Sequence, residues 1–394
     1  MPWPFARKSS AVLASDVTEG SSSPSTRFAF RLFRELAGTD DSNVFFSPSS
    51  VMLCLAMVHE AASGKTRQDM AKALEIAGLN PVDTARAVAD LKAPFRHREH
   101  VEVTGANSLW CGEGMYVRPE YAARLRDIYD AELAMLDFGA GNAVSRINAW
   151  VNQKTKGKIS HIVSVLPPLA TLVAVNAIYF KGRWTRTFER RSTHDGLFTT
   201  ATGHKRQLPM MHQSGRYSYY EDRKLQAVVL PYEGGVAMHV ILPAAHTDVQ
   251  QFQQSLSWSG WNSQLARFEE AAGTIQIPRF KLDCHAQLER ALKALGMERA
   301  FDPGRAEFDG VKAEHLPVYI DQILHRAVAE MNEEGTEASA ATAIAVPCSS
   351  PRFDRAPRPF RMIVDRSFFV VIRDETTRSI LFMGWIRDPE AGAL

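Results

Sequence analysis

The sequence predicts an α+β fold, and three observations support this class. Helical periodicity dominates the first half of the chain, and short strand-like segments dominate the second half. Residues 169–180, LATLVAVNAIYF, are almost wholly apolar, as expected of a strand that is buried on both faces. Because helices and strands are segregated along the chain and no internal repeat is visible, α+β is favoured over a repeated βαβ architecture.

The helices of the first half are predicted from apolar spacing and from residues that begin helices. Phe28 and Leu32 share one face of a helix over 26–38. Ser49 or Ser50 is expected to cap a long apolar helix that ends near residue 63. Further helices are predicted over 66–77, 83–93, 119–129 and 143–154, with strands over 43–48 and 101–110.

The strands of the second half are predicted from short apolar runs bounded by turn residues. One helix interrupts them over 285–295, beginning after Asp283 and ending at Gly296. The predicted strands cover 216–221, 225–231, 236–242, 274–282, 360–373 and 379–386.

Length, charge and patterning exclude several classes of protein. The chain has 394 residues, of which 45% are hydrophobic and 23% are charged, with a net charge of +2. A chain of this length buries a core large enough to be stable without a disulfide framework or a structural metal. The nearly balanced charge gives no reason to expect a nucleic-acid partner, and no apolar run is long enough to span a membrane.

The cysteines give no sign of a metal centre. Cys54, Cys111, Cys284 and Cys348 form no C-x-x-C pair, and none lies near a histidine at the spacing of zinc ligands. Cys54 lies in an apolar run and is interpreted as a core residue. We therefore expect no metal and no cofactor.

Motifs of common enzymes are incomplete. Gly64-Lys65-Thr66 resembles the end of a phosphate-binding loop, but His59 occupies the position of the required glycine. The pair His59-Glu60 begins a zinc-protease motif, but Ser63 stands where the second histidine is needed. No G-x-S-x-G nucleophile motif occurs. The sequence therefore predicts a protein that is not an enzyme.

One basic cluster leaves two interpretations open. Lys92, Arg96, His97, Arg98 and His100 form a cluster that could bind a polyanion, although a solvated charged surface is the favoured interpretation.

The N-terminus has only four consecutive apolar residues, 11–14, after its first basic pair, which is too few for a convincing secretory signal. The compartment is left open, with an extracellular or periplasmic location as the expectation.

The segment 335–359 has an unusual composition. Small or β-branched residues alternate along it at Thr336, Ala338, Ala340 and Thr342, as a strand that enters a crowded sheet would require. Long loops inside compact chains are uncommon and are often functional.

Several motifs together resemble the serpins, a family of protease inhibitors. Residues 330–345, EMNEEGTEASAATAIA, resemble the hinge of a serpin. The other similar segments are NVFFSPSS at 43–50, INAWVNQKTKGKI at 147–159, NAIYFKGRW at 176–184, residues 365–369, and ILFMG at 380–384. The resemblance implies three β-sheets, eight or nine helices, and a single domain over 26–394 that follows a flexible segment 1–25.

The resemblance also implies a mechanism. A reactive-centre loop at about 335–359 would be attacked as a substrate by a serine protease, forming an acyl-enzyme. The cleaved loop would then insert into a gap between two central strands of the main sheet and trap the protease before hydrolysis. This suicide-substrate mechanism needs a metastable native fold and a monomeric inhibitor that forms a covalent complex with its target.

The family pattern assigns roles to particular residues. The hinge would comprise Glu333, Glu334, Gly335, Thr336, Ala338, Ala340 and Thr342. The shutter beneath the gap would comprise Ser47, Ser50, Asn176 and His325. The breach at the top of the sheet would comprise Trp184, Arg279 and Glu333, with the last two forming a surface ion pair.

The reactive bond is predicted by counting from the hinge. With Glu333 as the first residue, Ser349 is the seventeenth, so cleavage is expected at Ser349-Ser350, with Cys348 or Ser350 as neighbouring alternatives. The small residues around this bond predict an elastase- or subtilisin-like target. Two alternatives remain open, namely a non-inhibitory serpin that acts as a binding or chaperone-like protein, and a cross-class inhibitor of cysteine proteases.

Overall fold

The structure is a computed structural model, and it describes residues 23–38, 42–95, 98–335 and 359–391. Within these residues nine α-helices and three hydrogen-bonded sheets are present, which agrees with the predicted α+β class.

The helices lie mostly in the first half of the chain, as predicted. Helix α1 begins at Pro24, inside the segment that was expected to be flexible, and Ser23 caps it. The helices are α1 (Pro24–Leu36), α2 (Pro48–Ala61), α3 (Gly64–Ala73), α4 (Pro81–Lys92), α5 (Pro119–Tyr129), α6 (Ala143–Lys154), α7 (Val249–Ser255), α8 (Trp258–Leu265) and α9 (Glu289–Leu292).

The strands vary from two to seventeen residues in length. They are β1 (Val44–Phe46), β2 (Val101–Gly112), β3 (Tyr116–Val117), β4 (Glu132–Leu136), β5 (Leu172–Gly182), β6 (His194–Thr199), β7 (Lys205–Glu221), β8 (Leu225–Pro231), β9 (Val236–Pro243), β10 (Glu269–Pro278), β11 (Phe280–Gln287), β12 (Val311–Lys312), β13 (Ile320–Met331), β14 (Phe360–Ile363), β15 (Phe368–Asp374), β16 (Ile380–Ile386) and β17 (Glu390–Ala391).

The six-stranded sheet, called here the main sheet, has the order β17-β11-β13-β5-β2-β4. Its central strand β5 is buried almost throughout. On one face Val173 and Val175 share a buried cluster with Ile147 of α6, and on the other Ile178 and Phe180 join the core shared with the nine-stranded sheet. The predicted burial of this strand on both faces is therefore confirmed.

The nine-stranded sheet has the order β1-β16-β15-β9-β8-β7-β10-β14, with β6 paired to β7. Strand β10 belongs to it, whereas β11, which follows directly, belongs to the main sheet. The single strand predicted over 274–282 is therefore wrong, because the chain crosses between sheets at Arg279, whose N–H donates to Pro209 O. The strand predicted over 360–373 likewise divides into β14 and β15.

Two helix boundaries also differ from expectation. Ser47 caps α2, rather than Ser49 or Ser50, and its side chain accepts a hydrogen bond from Ser50 N. The helix predicted over 285–295 begins only at Glu289, because β11 continues to Gln287.

Candidate functional site

The two central strands β5 and β13 of the main sheet are paired in parallel. Their register runs from Ile320 opposite Leu172 to Ala329 opposite Phe180. The expected gap between these strands is therefore closed along this length. Insertion of another strand requires the backbone hydrogen bonds of this junction, called here the seam, to be broken first.

A tight turn closes the upper end of the seam, where β13 ends. Asn332 N donates to Gly335 O at 2.8 Å, and Gly335 N donates back to Asn332 O at 3.2 Å. The turn places Gly335 in an antiparallel bridge with Arg183, just beyond β5. Gly335 has φ 126°, and a Cβ at this position would lie 2.1 Å from Gly182 O. Only glycine fits here without displacing β5.

Trp184 covers this turn. Its indole Nε1–H donates to Asn332 O at 2.9 Å, and its backbone N–H donates to Glu334 O at 3.1 Å. The indole stacks on Tyr232 with ring centroids 4.0 Å apart, and Trp184 is buried. The predicted hinge therefore leaves β13 beneath the buried indole of Trp184.

Arg279 and Glu333 form an ion pair with Nη1 and Oε1 3.5 Å apart. Both side chains are at least nine-tenths buried, so the surface pair expected from the sequence is in fact a buried one. Glu333 Oε1 also accepts from Thr193 Oγ1 at 2.8 Å, and Phe188 N donates to Glu333 O at 2.7 Å. The turn is thus tied to the crossing between β10 and β11 and to the segment that precedes β6.

The four predicted shutter residues lie together at the middle of the seam. Asn176 and His325 are register partners, and His325 Nδ1 lies 2.5 Å from Asn176 Oδ1. Asn176 Nδ2 donates to Ser50 Oγ at 2.6 Å. Ser47 N donates to His325 Nε2 at 3.1 Å. The start of α2 is therefore hydrogen-bonded to both strands of the seam.

These contacts fix the protonation of His325. Because the backbone N–H of Ser47 can only donate, Nε2 accepts, and Nδ1 carries the proton that goes to Asn176 Oδ1. His325 is completely buried, and this burial lowers the pKa of its imidazole from 6.5 to about 3. The ring is therefore neutral at physiological pH.

Asn107 of β2 is a further member of this polar row that the sequence did not reveal. It pairs in register with Asn176, whose Nδ2 donates to Asn107 Oδ1. The row therefore crosses three adjacent strands at one level. Only the register of β2 against β5 identifies Asn107, because no local motif marks it.

The other predicted site residues lie outside the described residues. These are the hinge positions Thr336, Ala338, Ala340 and Thr342 and the candidate reactive residues Cys348, Ser349 and Ser350.

The described members of the basic cluster contact the protein itself. Lys92 Nζ donates to Ile128 O, and Arg98 pairs with the buried carboxylate of Asp374. His100 lies 3.5 Å from Glu233 Oε2. These contacts favour the interpretation of the cluster as a structural and solvated surface.

Within the described residues, no group of three or more His, Cys, Asp or Glu side chains is arranged to hold a metal ion. In the same part of the chain, no helix has both the length and the apolar character that a membrane span requires.

Comparisons with known proteins agree with this geometry. The family model described as "Serpin (serine protease inhibitor)" matches residues 23–389. An uncharacterized serpin-like protein of Thermococcus kodakarensis is 35% identical over 375 residues, covering 93% of this chain and 85% of that protein. Human Serpin B8 is 34% identical, covering 92% and 97%. A leukocyte elastase inhibitor of Xenopus tropicalis is 30% identical, covering 94% and 100%.

Solved structures give the same result. The thermophilic serpin tengpin in its native state matches with a TM-score of 0.85 and 26% identity, covering 93% of each chain. Human thyroxine-binding globulin in complex with thyroxine matches with a TM-score of 0.83 and 26% identity, covering 93% of this chain and 98% of that one.

Proposed function

Because the chain belongs to the serpin family, we propose that it inhibits serine proteases as a suicide substrate and is not itself an enzyme. The observation that carries the proposal is the bridge between Gly335 and Arg183. This bridge holds the first residue of the reactive loop at the upper end of the seam, antiparallel to β5.

The bridge also defines a register for insertion. Each further step along the loop would move one residue down β5, so that Ala338 would come opposite Phe180 and Thr342 opposite Asn176. Directly opposed residues of an antiparallel pair share a face of the sheet. The alternating hinge set would therefore point into the core that holds Phe180.

The composition of the hinge suits this position. The side chains that would enter the core are small or β-branched, namely Thr336, Ala338, Ala340 and Thr342. Glu337 would lie on the opposite face, opposite Lys181. A charged side chain on the inner face would have to be desolvated without a partner, which is costly.

Insertion would exchange one seam for two new strand junctions. The bonds between β5 and β13 would be lost, but both strands would then pair with the loop. Thr342 would arrive between Asn176 and His325 and would separate their side chains. Shutter opening and loop entry are therefore proposed to be one event at this level.

The trap would depend on a competition of rates. After attack on Ser349-Ser350, or at Cys348 as a neighbouring alternative, the protease would remain attached through an ester. Rapid insertion would carry it across the molecule and distort its oxyanion hole before water hydrolyses the ester. Small side chains around this bond favour an elastase- or subtilisin-like protease, and a monomeric inhibitor suffices.

The test is incubation of the full chain with elastase, subtilisin and trypsin, followed by a denaturing gel. The expected result is a covalent complex with elastase or subtilisin and a released fragment 350–394, identified by mass. Cleavage mapped to Arg352 or Arg355 would contradict the assigned bond, because those residues lie too far along the loop.

A non-inhibitory binding function is the second candidate. The similarity to thyroxine-binding globulin supports it, because the structure of that protein holds a small ligand, thyroxine. Simple cleavage by every protease, without a covalent complex and without loss of protease activity, would favour this candidate. A covalent complex with a cysteine protease instead would indicate cross-class inhibition.

A further inference from the structure

A cluster of polar contacts joins β5 and β13 at the lower end of the seam. Thr171 Oγ1 donates to Tyr319 O at 2.6 Å and accepts from Tyr319 N at 3.1 Å. The carboxylate Oδ2 of Asp321 accepts from the backbone N–H groups of Thr171 and Leu172, the latter at 3.2 Å. We call Thr171, Tyr319 and Asp321 the lower clamp.

An irregularity in the strand directs the Asp321 side chain. The register of β13 against β5 shifts between Ile320 and Gln322, so Asp321 has no register partner on β5. Its carboxylate replaces the missing backbone acceptor. Burial raises the pKa of this carboxyl, because a partly buried charge is less well hydrated than an exposed one.

The clamp occupies hydrogen-bond donors that an inserted strand would need. In the register set by Gly335 and Arg183, Val346 would come opposite Leu172 and Pro347 opposite Thr171. The backbone N–H of Trp184, just beyond β5, donates to Glu334 O and so points toward the seam. Because N–H groups alternate in direction along a strand, every second N–H of β5 points the same way, including that of Leu172. Leu172 N–H is one of the two backbone donors that Asp321 already binds.

We propose that Thr171 and Asp321 form a lock at the lower end of the seam, which must open for the loop to insert beyond Ala345. This inference rests on the proposed inhibitory function. The lock makes Asp321 a positioning residue for insertion rather than a group that contacts the protease. Pro347, which lacks an N–H, would mark the last position that the inserted strand can reach.

The test uses two synthetic peptides and the intact full-length protein. The long peptide has the sequence of residues 336–347, TEASAATAIAVP, and reaches the clamp. The short peptide, residues 336–343, TEASAATA, ends opposite Val175 and does not reach it. The rate of annealing is followed by native gel shift and by the melting temperature.

We expect Asp321→Ala to speed annealing of the long peptide about tenfold, equivalent to about 1.4 kcal/mol of the barrier. The short peptide should anneal at an unchanged rate. The matched control is Glu314→Ala, because this side chain is 93% exposed and lies 3.8 Å from the exposed ring of its neighbour His315. The control should leave both rates unchanged.

The outcomes separate the lock from the proposed function. If Asp321→Ala accelerated both peptides equally, the variant would have loosened the whole sheet, and the lock would be overturned. If it accelerated neither peptide, the clamp would not limit insertion, and the lock would again be overturned. Absence of annealing by the unaltered protein would overturn both proposals. Selective acceleration of the long peptide by Asp321→Ala, together with no covalent complex with any protease, would overturn only the inhibitory function.

A second variant keeps the test decisive if Asp321→Ala does not fold. Thr171→Val keeps the side-chain shape but removes the hydroxyl that binds Tyr319. It should accelerate the long peptide selectively, by a smaller factor than Asp321→Ala. A rate equal to that of the unaltered protein, in a folded Thr171→Val variant, would count against the lock.

Discussion

A single added methyl group at Gly335 would collide with the strand end that this residue pairs with. The variant Gly335→Ala combines an unfavourable positive φ with a Cβ only 2.1 Å from Gly182 O. We expect the free energy of unfolding to fall by about 2–4 kcal/mol, measured by denaturant titration.

Gly78→Ala is the matched control for this change. Gly78 has φ 83° but no atom within 4 Å of an added Cβ. Gly78→Ala therefore measures only the free energy that a positive φ costs a residue with a side chain. That cost is about 1 kcal/mol. If Gly335→Ala and Gly78→Ala lost the same free energy of unfolding, the added Cβ at residue 335 would not collide with the end of β5.

The buried His325 gives the native fold a defined dependence on pH. The pKa of this imidazole is about 3 in the native chain, against 6.5 for an exposed histidine. Between these values the unfolded chain binds a proton that the native chain does not. The free energy of unfolding should therefore decrease as the pH falls below about 6.5, by up to about 1.4 kcal/mol per pH unit.

The measurement compares unaltered protein with His325→Gln from pH 7 to pH 4. Glutamine does not titrate, so the free energy of unfolding of the variant should depend less steeply on pH. The difference in slope should be up to about 1.4 kcal/mol per pH unit, which corresponds to one proton. His59, His239 and His285 also have lowered pKa values, but they are present in both proteins and cancel in the difference. Identical slopes would mean that His325 is protonated in the native state.

At the scale of elements, the Arg279–Glu333 pair fastens the turn after β13 to the crossing between β10 and β11. Glu333→Leu should leave Arg279 buried without its counter-charge and cost about 3–5 kcal/mol. The double variant Arg279→Met, Glu333→Leu should recover most of that loss, because an apolar pair of similar size needs no charge compensation. Thermal and denaturant unfolding measure both.

An exposed pair in the neighbouring segment provides the control. Glu189 and Arg191 lie 2.8 Å apart with side chains 57% and 84% exposed. Glu189→Leu should change stability by less than about 1 kcal/mol. If the double variant were no more stable than Glu333→Leu, the loss would come from packing or from Thr193 rather than from an uncompensated charge.

Local signals in the sequence located many elements but not the seam. Helices α5 and α6 were predicted at their observed bounds, because Pro119 begins one and periodicity marks the other. Strand β13 was not predicted, since Asp321, Gln322 and Arg326 interrupt its apolar pattern. Those polar residues are accommodated by tertiary contacts, such as the bidentate pairing of Arg326 with Asp283, that no local pattern reveals.

The same distinction applies to the candidate site. Family motifs identified Asn176, His325 and Trp184, because these residues lie in recognisable segments. Asn107 and Asp321 were missed, because their roles depend on strand register and on a bulge. The family resemblance also implied an open gap between the central strands, whereas the two strands are paired along the seam.

At the scale of the whole molecule, the stored free energy should become visible when the loop is cut. Protein nicked in the loop by a non-target protease should melt about 10 °C higher than the intact chain. About ten added hydrogen bonds would contribute about 10 kcal/mol. In a chain of this length each kcal/mol raises the melting temperature by roughly 1 °C. Calorimetry before and after cleavage measures the change.

Ala340 provides the variant pair for this experiment. Ala340→Glu would place a charge opposite Ile178 in the core and should abolish the rise, whereas Ala340→Ser should preserve it. A nicked protein that melts no higher than the intact one would remove the energetic basis of the proposed trap.

The division of the C-terminal region among β14, β15 and β16 has a practical consequence. Phe368, Phe369 and Trp385 are completely buried in the nine-stranded sheet, downstream of the expected cut. The severed tail would therefore remain an integral part of the globule. Size-exclusion chromatography of the cut protein should show one particle of unchanged mass, and only detergent or heat should divide it into two polypeptides.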